Sequence, residues 1–210
     1  MNNHRKIVLY HAPNTRSSVA LTLLEDIGEP YELKALDMKA GEQRQPAYLA
    51  VNPMGKVPAV THGDALITEQ VAIFLYLADL FPEKGLAPPL GDPLRGPYLR
   101  WMVFYAACFE PALGDRALKR EPGPQSMMGY GDFDSVIDTL TAQLAPGPYV
   151  LGARFTAADV LWGCGLSWAL RFGLIPDRPE IRAYVERFEK RPSVARARAI
   201  DAELAAKQGV

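Results

Sequence analysis

Hydrophobic positions follow two rhythms along this chain, and the change from one to the other divides it. Ile7-Val8-Leu9-Tyr10 is an apolar run of the length of a buried strand. After the polar stretch His11 to Ser18, Val19, Leu23, Leu24 and Ile27 recur on one stripe. They predict a helix over 19–27 that Gly28 stops. Tyr31, Leu33 and Ala35 alternate with Glu32 and Lys34, predicting a strand over 31–36 that runs parallel to the first, since a helix lies between them. A polar segment over 37–45 and a short helix at 46–49 lead to an apolar run at 57–60. That run pairs with 65–67 across His62-Gly63-Asp64. Thr68-Glu69-Gln70 then opens a helix to Leu80, with Val71, Leu75 and Ala78 inward. The order is βαβ followed by ββα.

Beyond Pro82 the period-two rhythm disappears. Residues 83–92, rich in proline and glycine, read as a linker. A long aromatic helix is predicted from Leu94 to Phe109, with Pro111 kinking or interrupting it after Glu110. Residues 120–131 form a Gly/Pro/Met loop, and Asp132 caps a helix over 133–144. Thr156 and Asp159 have capping-box spacing, with Phe155 and Val160 placed as its hydrophobic staple. The helix they start runs to about Phe172 through Leu161, Trp162, Leu166 and Trp168. It is apolar nearly all round, as a central buried helix is. Amphipathic helices over 180–190 and 194–207 close the chain. The expected architecture is an α/β domain over 1–82, the linker 83–92, and an all-α domain over 93–210.

Composition narrows the function classes. Among 210 residues, 49% are hydrophobic and 22% charged, and the formal net charge is −1, which gives no electrostatic footprint for nucleic acid. The two cysteines, Cys108 and Cys164, sit in apolar helical context and read as reduced core thiols. No spacing suggests a metal site. The first apolar run is too short for a signal peptide and no stretch approaches a membrane span, so a cytoplasmic location is expected.

Two segments carry candidate chemistry. In Asn52-Pro53-Met54-Gly55-Lys56-Val57-Pro58, the residue before proline is pushed towards extended geometry. The N–H and C=O of Val57 can therefore face outwards at a strand edge and bind another backbone, as in strand addition. Asn14-Thr15-Arg16-Ser17 stands at the N-terminus of the first helix, where partial positive charge favours an anion such as a thiolate. A thiol of pKa ~8.5 is a few per cent ionised at pH 7. Lowering that value by ~2 needs roughly 2.7 kcal/mol and raises the thiolate fraction roughly 25-fold. One hydrogen bond and the helix dipole supply energy of that order. The same side chains would also serve as ordinary caps and turn formers.

The proline loop, the element order around it, the Glu69-Gln70 pair and the Thr156-Asp159 box together resemble the cytosolic glutathione S-transferase superfamily, over the whole chain. The resemblance implies a thioredoxin-like N-terminal domain followed by an all-α helical domain, in a homodimer. It implies glutathione as co-substrate, its cysteinyl backbone paired with Val57 and Pro58. Glu69 would grip the γ-glutamyl end, with Gln70 standing where the family carries serine. Lys39, Gln45 and Lys56 are the candidates for the glycyl carboxylate.

For the sulfur contact, Asn14 matches the reactive serine of zeta-like transferases and Thr15 the serine after it. Thr15, a hydroxyl, is the first candidate, Asn14 the second and Ser17 the third. With no cysteine in the loop, the chain is similar to zeta/theta-like members rather than to tyrosine or cysteine types. A small hydrophobic electrophile would lie against Tyr98, Trp101, Met102 and Tyr105, unless that stripe is plain core. Met127, Met128 and Trp168 are further candidates for that pocket. The implied activity is conjugation of glutathione to such electrophiles. A non-catalytic binding or regulatory role, or glutathione-dependent isomerisation or peroxide reduction, are the alternatives on the same fold.

Overall fold

Leu9 and Val60 are wholly excluded from solvent, because each belongs to a strand with a neighbour on both sides. The computed structural model describes residues 6–121 and 123–210. Residues 1–5 of the expected first domain, and Pro122 of the expected 120–131 loop, lie outside the described residues. Strand β1 (Ile7–His11) pairs in parallel with β2 (Glu32–Ala35) and antiparallel with β3 (Ala59–His62). Strand β3 pairs antiparallel with β4 (Ala65–Ile67), giving the order β2-β1-β3-β4. Strand β3 begins at Ala59, not Val57, because Pro58 has no N–H to give to the ladder.

Helix α1 (Ser17–Ile27) follows β1, the short α2 (Pro46–Leu49) precedes the proline loop, and α3 (Gln70–Leu80) follows β4. In α3 the buried positions are Ile73, Phe74, Leu77 and Ala78, whereas Val71 and Leu75 are half-buried. That helix is apolar on most sides, so its pattern alone does not select the inward face.

Two compact units make up the described chain: 6–84 together with Arg191–Val210, and Gly85–Lys190. The expected helical domain over 93–210 therefore loses its last segment in space. Helix α9 (Pro192–Gln208) packs on α1, where Arg191 forks the Asp26 carboxylate at 2.6 and 3.3 Å and Arg196 meets Glu25 at 2.7 Å. These partners lie 165 and 171 residues apart, beyond the reach of any local pattern.

The second unit is all helical: α4 (Arg95–Phe104), a π-helical turn (Tyr105–Phe109), α5 (Glu110–Ala117), α6 (Phe133–Leu144), α7 (Ala157–Arg171) and α8 (Pro179–Glu189). Pro111 does not end the helix. It sits in the first turn of α5, directly after the π turn that changes the bonding register there. Asp132 Oδ1 accepts the Ser135 N–H at 2.7 Å and caps α6.

Trp162 on α7 is the centre of this core. Its ring lies 5.0 Å from Tyr105 and from Phe109, and its Nε1–H donates to the Trp101 carbonyl at 3.1 Å. Trp168 emerges instead at 47% exposure, its ring tilted against Phe172 at 4.9 Å. Next to Trp162, Gly163 lets α8 approach so closely that a Cβ would lie 2.2 Å from the Phe188 ring. Gly163→Ala is accordingly expected to destabilise the protein by about 1–3 kcal/mol. Calorimetry should show this as a fall in Tm of roughly 2–12 °C.

Candidate functional site

The register of the sheet brings four chain segments to one end of it. Strand β1 finishes there at His11, and β2, parallel to it, finishes there at Ala35. Strand β3 runs the other way, so its first residue, Ala59, lies opposite Tyr10. Strand β4 reverses again, and Ile67 arrives opposite Val60. The loops 12–16 and 36–45, the Val57-Pro58 dipeptide and the turn 68–69 all open at this end, where ligands of open α/β sheets bind.

The loop after β1 is held by its own hydroxyls. Ser17 is completely buried, and its Oγ accepts the Ala12 N–H at 3.0 Å. That oxygen also lies 2.8 Å from His11 Nδ1, 2.7 Å from Thr15 Oγ1 and 3.1 Å from the Ala12 carbonyl. Ser17 is thus structural, and the expectation that it might touch sulfur is corrected. Thr15 is half-buried. Its hydroxyl has inward acceptors at 2.7 Å in the Ala12 carbonyl and in Ser17 Oγ, and it accepts the Ser17 N–H at 3.2 Å. The first donors of α1 are therefore spent internally, since the Ser18 N–H also bonds the Thr15 carbonyl at 3.1 Å. Asn14 is exposed at the tip, in the left-handed region at φ 58, which asparagine tolerates better than most residues.

Val57 precedes a cis peptide bond to Pro58 and lies beyond the last ladder pair of β1 with β3. Its loop is tied from behind. The Lys56 carbonyl accepts the Tyr48 hydroxyl at 2.6 Å and the Asn52 side-chain amide at 2.8 Å. Burial pushes the Tyr48 phenol up to about 12, so it stays a donor. At Gly55 (φ 59) a Cβ would meet the Gln43 carbonyl at 2.7 Å, so a side chain there has no room.

Glu69 is exposed and held at φ 62, ψ 118, a costly conformation for a residue with a Cβ and one that clusters at ligand sites. Beside it, Gln70 Nε2 is shielded from solvent with no hydrogen-bond partner among the described residues. Lys39, Gln45 and Lys56 are exposed. A cavity of about 370 Å³ lies between Pro13, Asn14 and Thr15 on one side and Met38, Lys39 and Gln208 on the other.

Tyr98, Trp101, Met102 and Tyr105 are at most 3% exposed. Trp101 and Tyr105 pack on Trp162, and the Tyr105 hydroxyl donates to Glu110 at 2.9 Å. These four form the helical unit's own core and present no surface to an electrophile, which corrects their expected role. Large aromatics at helical spacing have the same pattern whether they line a pocket or fill a core.

Sequence reasoning missed Asn52, buried at 4% exposure, although an asparagine before proline is a turn signal. It also missed His11 and Asp201, which meet at 2.8 Å; nothing local in the sequence joins them. The open end of the sheet thus carries the amides of Asn14, Gln45 and Gln70, the Glu69 carboxylate, the Lys39 and Lys56 ammonium groups and the Val57 backbone. That set complements a short peptide carrying both an ammonium and carboxylates.

Comparison with known proteins gives the lineage. Residues 5–79 match the family described as Glutathione S-transferase, N-terminal domain, and residues 115–187 match Glutathione S-transferase, C-terminal domain. Glutathione S-transferase GstA of Escherichia coli O157:H7 is 30% identical over 191 residues, covering 89% of this chain and 94% of that protein. A crystal structure of a glutathione transferase from Methylococcus capsulatus superposes with TM-score 0.79 at 31% identity, covering 94% of this chain and 99% of the other. A sphingomonad glutathione S-transferase complexed with glutathione superposes with TM-score 0.76 at 26% identity, covering 93% and 98%. With both domain families matched in order and a relative aligned over nearly its full length, the chain belongs to the glutathione S-transferase family.

Proposed function

We propose that the protein conjugates glutathione to small hydrophobic electrophiles, binding glutathione at the open end of the sheet. The observation that carries this reading is the convergence there of Asn14, the Val57 backbone and the strained Glu69. The Val57 N–H and C=O take the cysteinyl backbone of the tripeptide. Glu69 and the unpartnered Gln70 amide take its γ-glutamyl ammonium and carboxylate, and Lys39, Lys56 and Gln45 attract its glycyl carboxylate. The cavity beside Asn14 and Thr15 receives the electrophile next to the sulfur.

Asn14 is the donor to the thiolate in this reading, because its amide stands at the exposed tip while the single Thr15 proton has two inward acceptors. Thr15 supports the loop from behind. The protein's own thiols take no part: Cys108 and Cys164 belong to the helical unit, and burial pushes the Cys108 thiol up. A sulfur contact without a cysteine supports reading the chain as zeta/theta-like rather than of the cysteine type. A homodimer, as the family resemblance implies, would show in light scattering as about twice 23.1 kDa. Among the described residues, no helix is long and apolar enough to cross a membrane.

Retention on immobilised glutathione followed by a chlorodinitrobenzene conjugation assay tests the reading. Retention with turnover is expected. Retention without turnover would move the protein to a binding role or to isomerase or peroxidase chemistry, and no retention would remove glutathione altogether. Asn14→Ala is expected to slow conjugation about 3- to 25-fold at pH 7 but under about twofold at pH 9, where the free thiol is already ionised. Thr15→Ala should slow it similarly at both values. The reverse pattern would make Thr15 the donor.

A further inference from the structure

The cavity beside Asn14 is built wholly from the sheet unit, and its walls differ in kind. Pro13, Met38 and Val210 give it apolar sides. Its volume of about 370 Å³ is more than twice the ~150 Å³ that encloses benzene, so a substituted ring fits. The polar groups on its walls include the amides of Asn14 and Gln208 and the Lys39 ammonium, and no acidic side chain lines it. Lys39 and Gln208 are both held from outside the cavity. Lys39 sits in a turn closed by the two acids that flank it: Asp37 Oδ1 accepts the Ala40 N–H at 2.9 Å, and Glu42 Oε2 accepts the Asp37 N–H at 2.8 Å. The Lys39 ammonium itself has no ion-pair partner among the described residues. Gln208 arrives in the last turn of α9, where its Nε2 donates one hydrogen to the Leu36 carbonyl at 3.3 Å and keeps a second.

We propose that Lys39 and Gln208 make this cavity selective for electrophiles that carry a carboxylate on an apolar body. The assignment rests on the reading of the cavity as the electrophile's site, to which it adds the class of substrate. The apolar body lies against Pro13 and Met38, whose thioether makes favourable contacts with rings. The carboxylate meets the Lys39 ammonium and the second hydrogen of the Gln208 amide, a charge-assisted contact. Charge decides the preference. A glutathione thiolate beside Asn14 repels an anionic substrate, and the Lys39 ammonium on the facing wall offsets that repulsion where no other charged side chain lines the cavity. Of Lys39, Lys56 and Gln45, which attract the glycyl carboxylate, Lys39 is the one that lines the cavity. It therefore serves both anions, and Lys56 and Gln45 serve the glycyl group alone.

Binding tests this without any reaction. 4-Methyl-3-nitrobenzoate has no leaving group, and 4-methyl-3-nitrobenzamide has its shape without its charge. Titration calorimetry of the ligand-free protein at pH 7 should show the carboxylate bound about 3- to 10-fold tighter, the low end for a charge-assisted contact because Lys39 is exposed. Lys39→Met should remove the difference and Lys39→Glu should reverse it. Gln208→Leu should weaken the carboxylate about 2- to 5-fold, which binding at the glycyl position would not show. Equal affinities in the wild type, no binding of the carboxylate, or a preference that survives Lys39→Met overturns the proposal whether or not glutathione is conjugated. Turnover is then followed with 4-chloro-3-nitrobenzoate and its carboxamide. The thiol proton passes to solvent, sulfur bonds to the ring carbon, and chloride leaves with the electron pair. Each kcat/KM is divided by the rate constant with free glutathione, which cancels the intrinsic reactivity of the two rings. The quotient should favour the carboxylate about 3- to 10-fold in the wild type and lose that preference in Lys39→Met. A weakened glycyl contact lowers both rates alike and leaves their ratio in place, so a ratio unmoved by Lys39→Met overturns the role. Conjugation of neither probe nor of chlorodinitrobenzene would sink the functional reading and leave the binding result standing.

Discussion

Asp159→Ala is expected to lower the unfolding free energy by about 3–5 kcal/mol, the range for removing one side of a buried polar network. The carboxylate is 1% exposed and accepts four bonds. Val150 N–H and the Tyr184 hydroxyl reach Oδ1 at 2.7 and 3.0 Å, and Thr156 N–H and its hydroxyl reach Oδ2 at 2.8 and 3.2 Å. Truncation leaves the Val150 and Thr156 donors buried without acceptors, leaves the Tyr184 hydroxyl only the residue-159 carbonyl at 3.3 Å, and breaks the capping box of α7, the helix that carries Trp162. Thermal unfolding should show a Tm lower by roughly 6–20 °C. Asp159→Asn keeps the shape but turns an NH2 towards the Thr156 N–H, so a smaller loss of about 2–3 kcal/mol is expected. A loss below about 1 kcal/mol for the alanine variant would mean that the box is dispensable.

The same side chain gives stability a pH dependence of unusual sign. Burial raises the Asp159 carboxyl from 3.8 to about 6, outweighing the hydrogen bonds that favour its ionised form. Between these values the folded protein holds a proton that the unfolded chain has released. This contribution is therefore complete below pH 3.8 and is lost as pH rises through about 6. It amounts to on the order of 3 kcal/mol. Urea titrations across pH 4–7 should show a component that falls with rising pH in the wild type and is missing in Asp159→Asn.

Glu69→Gly is expected to separate function from stability. At φ 62 a side chain costs on the order of 1–3 kcal/mol. Removing it relieves that strain and adds back roughly 0.5–1 kcal/mol of glycine chain entropy. Stability should be unchanged or raised by up to about 2.5 kcal/mol. Glutathione affinity should fall about 10- to 100-fold, the worth of one charge-assisted hydrogen bond to the γ-glutamyl ammonium. Calorimetric titration alongside thermal unfolding reads both. A variant that is less stable yet binds as well would show that the strained geometry serves packing and not the ligand.

Legibility from the sequence followed the range of the forces involved. Helix α6 begins at Phe133 because Asp132 can cap it, and α7 begins after Thr156 because a hydroxyl and a carboxylate three residues apart reciprocate; both signals are local. Pro58 and Gly55 mark the proline loop by the conformations they allow. Val71 and Leu75 were expected inward on α3 and are only half-buried, because a helix apolar on most sides does not declare its inner face. Tyr98 and Trp101 matched a pocket wall and a core equally well until their neighbours were known.

The sequence by itself determined the two architectures, most element bounds and the family resemblance. These rest on periodic patterns and on motifs whose members stand a few positions apart. Tertiary structure decided that α9 joins the sheet unit, that Ser17 is sealed, that Asn14 and not Thr15 is left exposed at the loop tip, and that Asp201 meets His11. Each of those outcomes depends on which distant surfaces pack together and which donors find acceptors first. Buried polar groups pair with whatever packing brings within 3 Å, and the order of residues along a chain does not encode that.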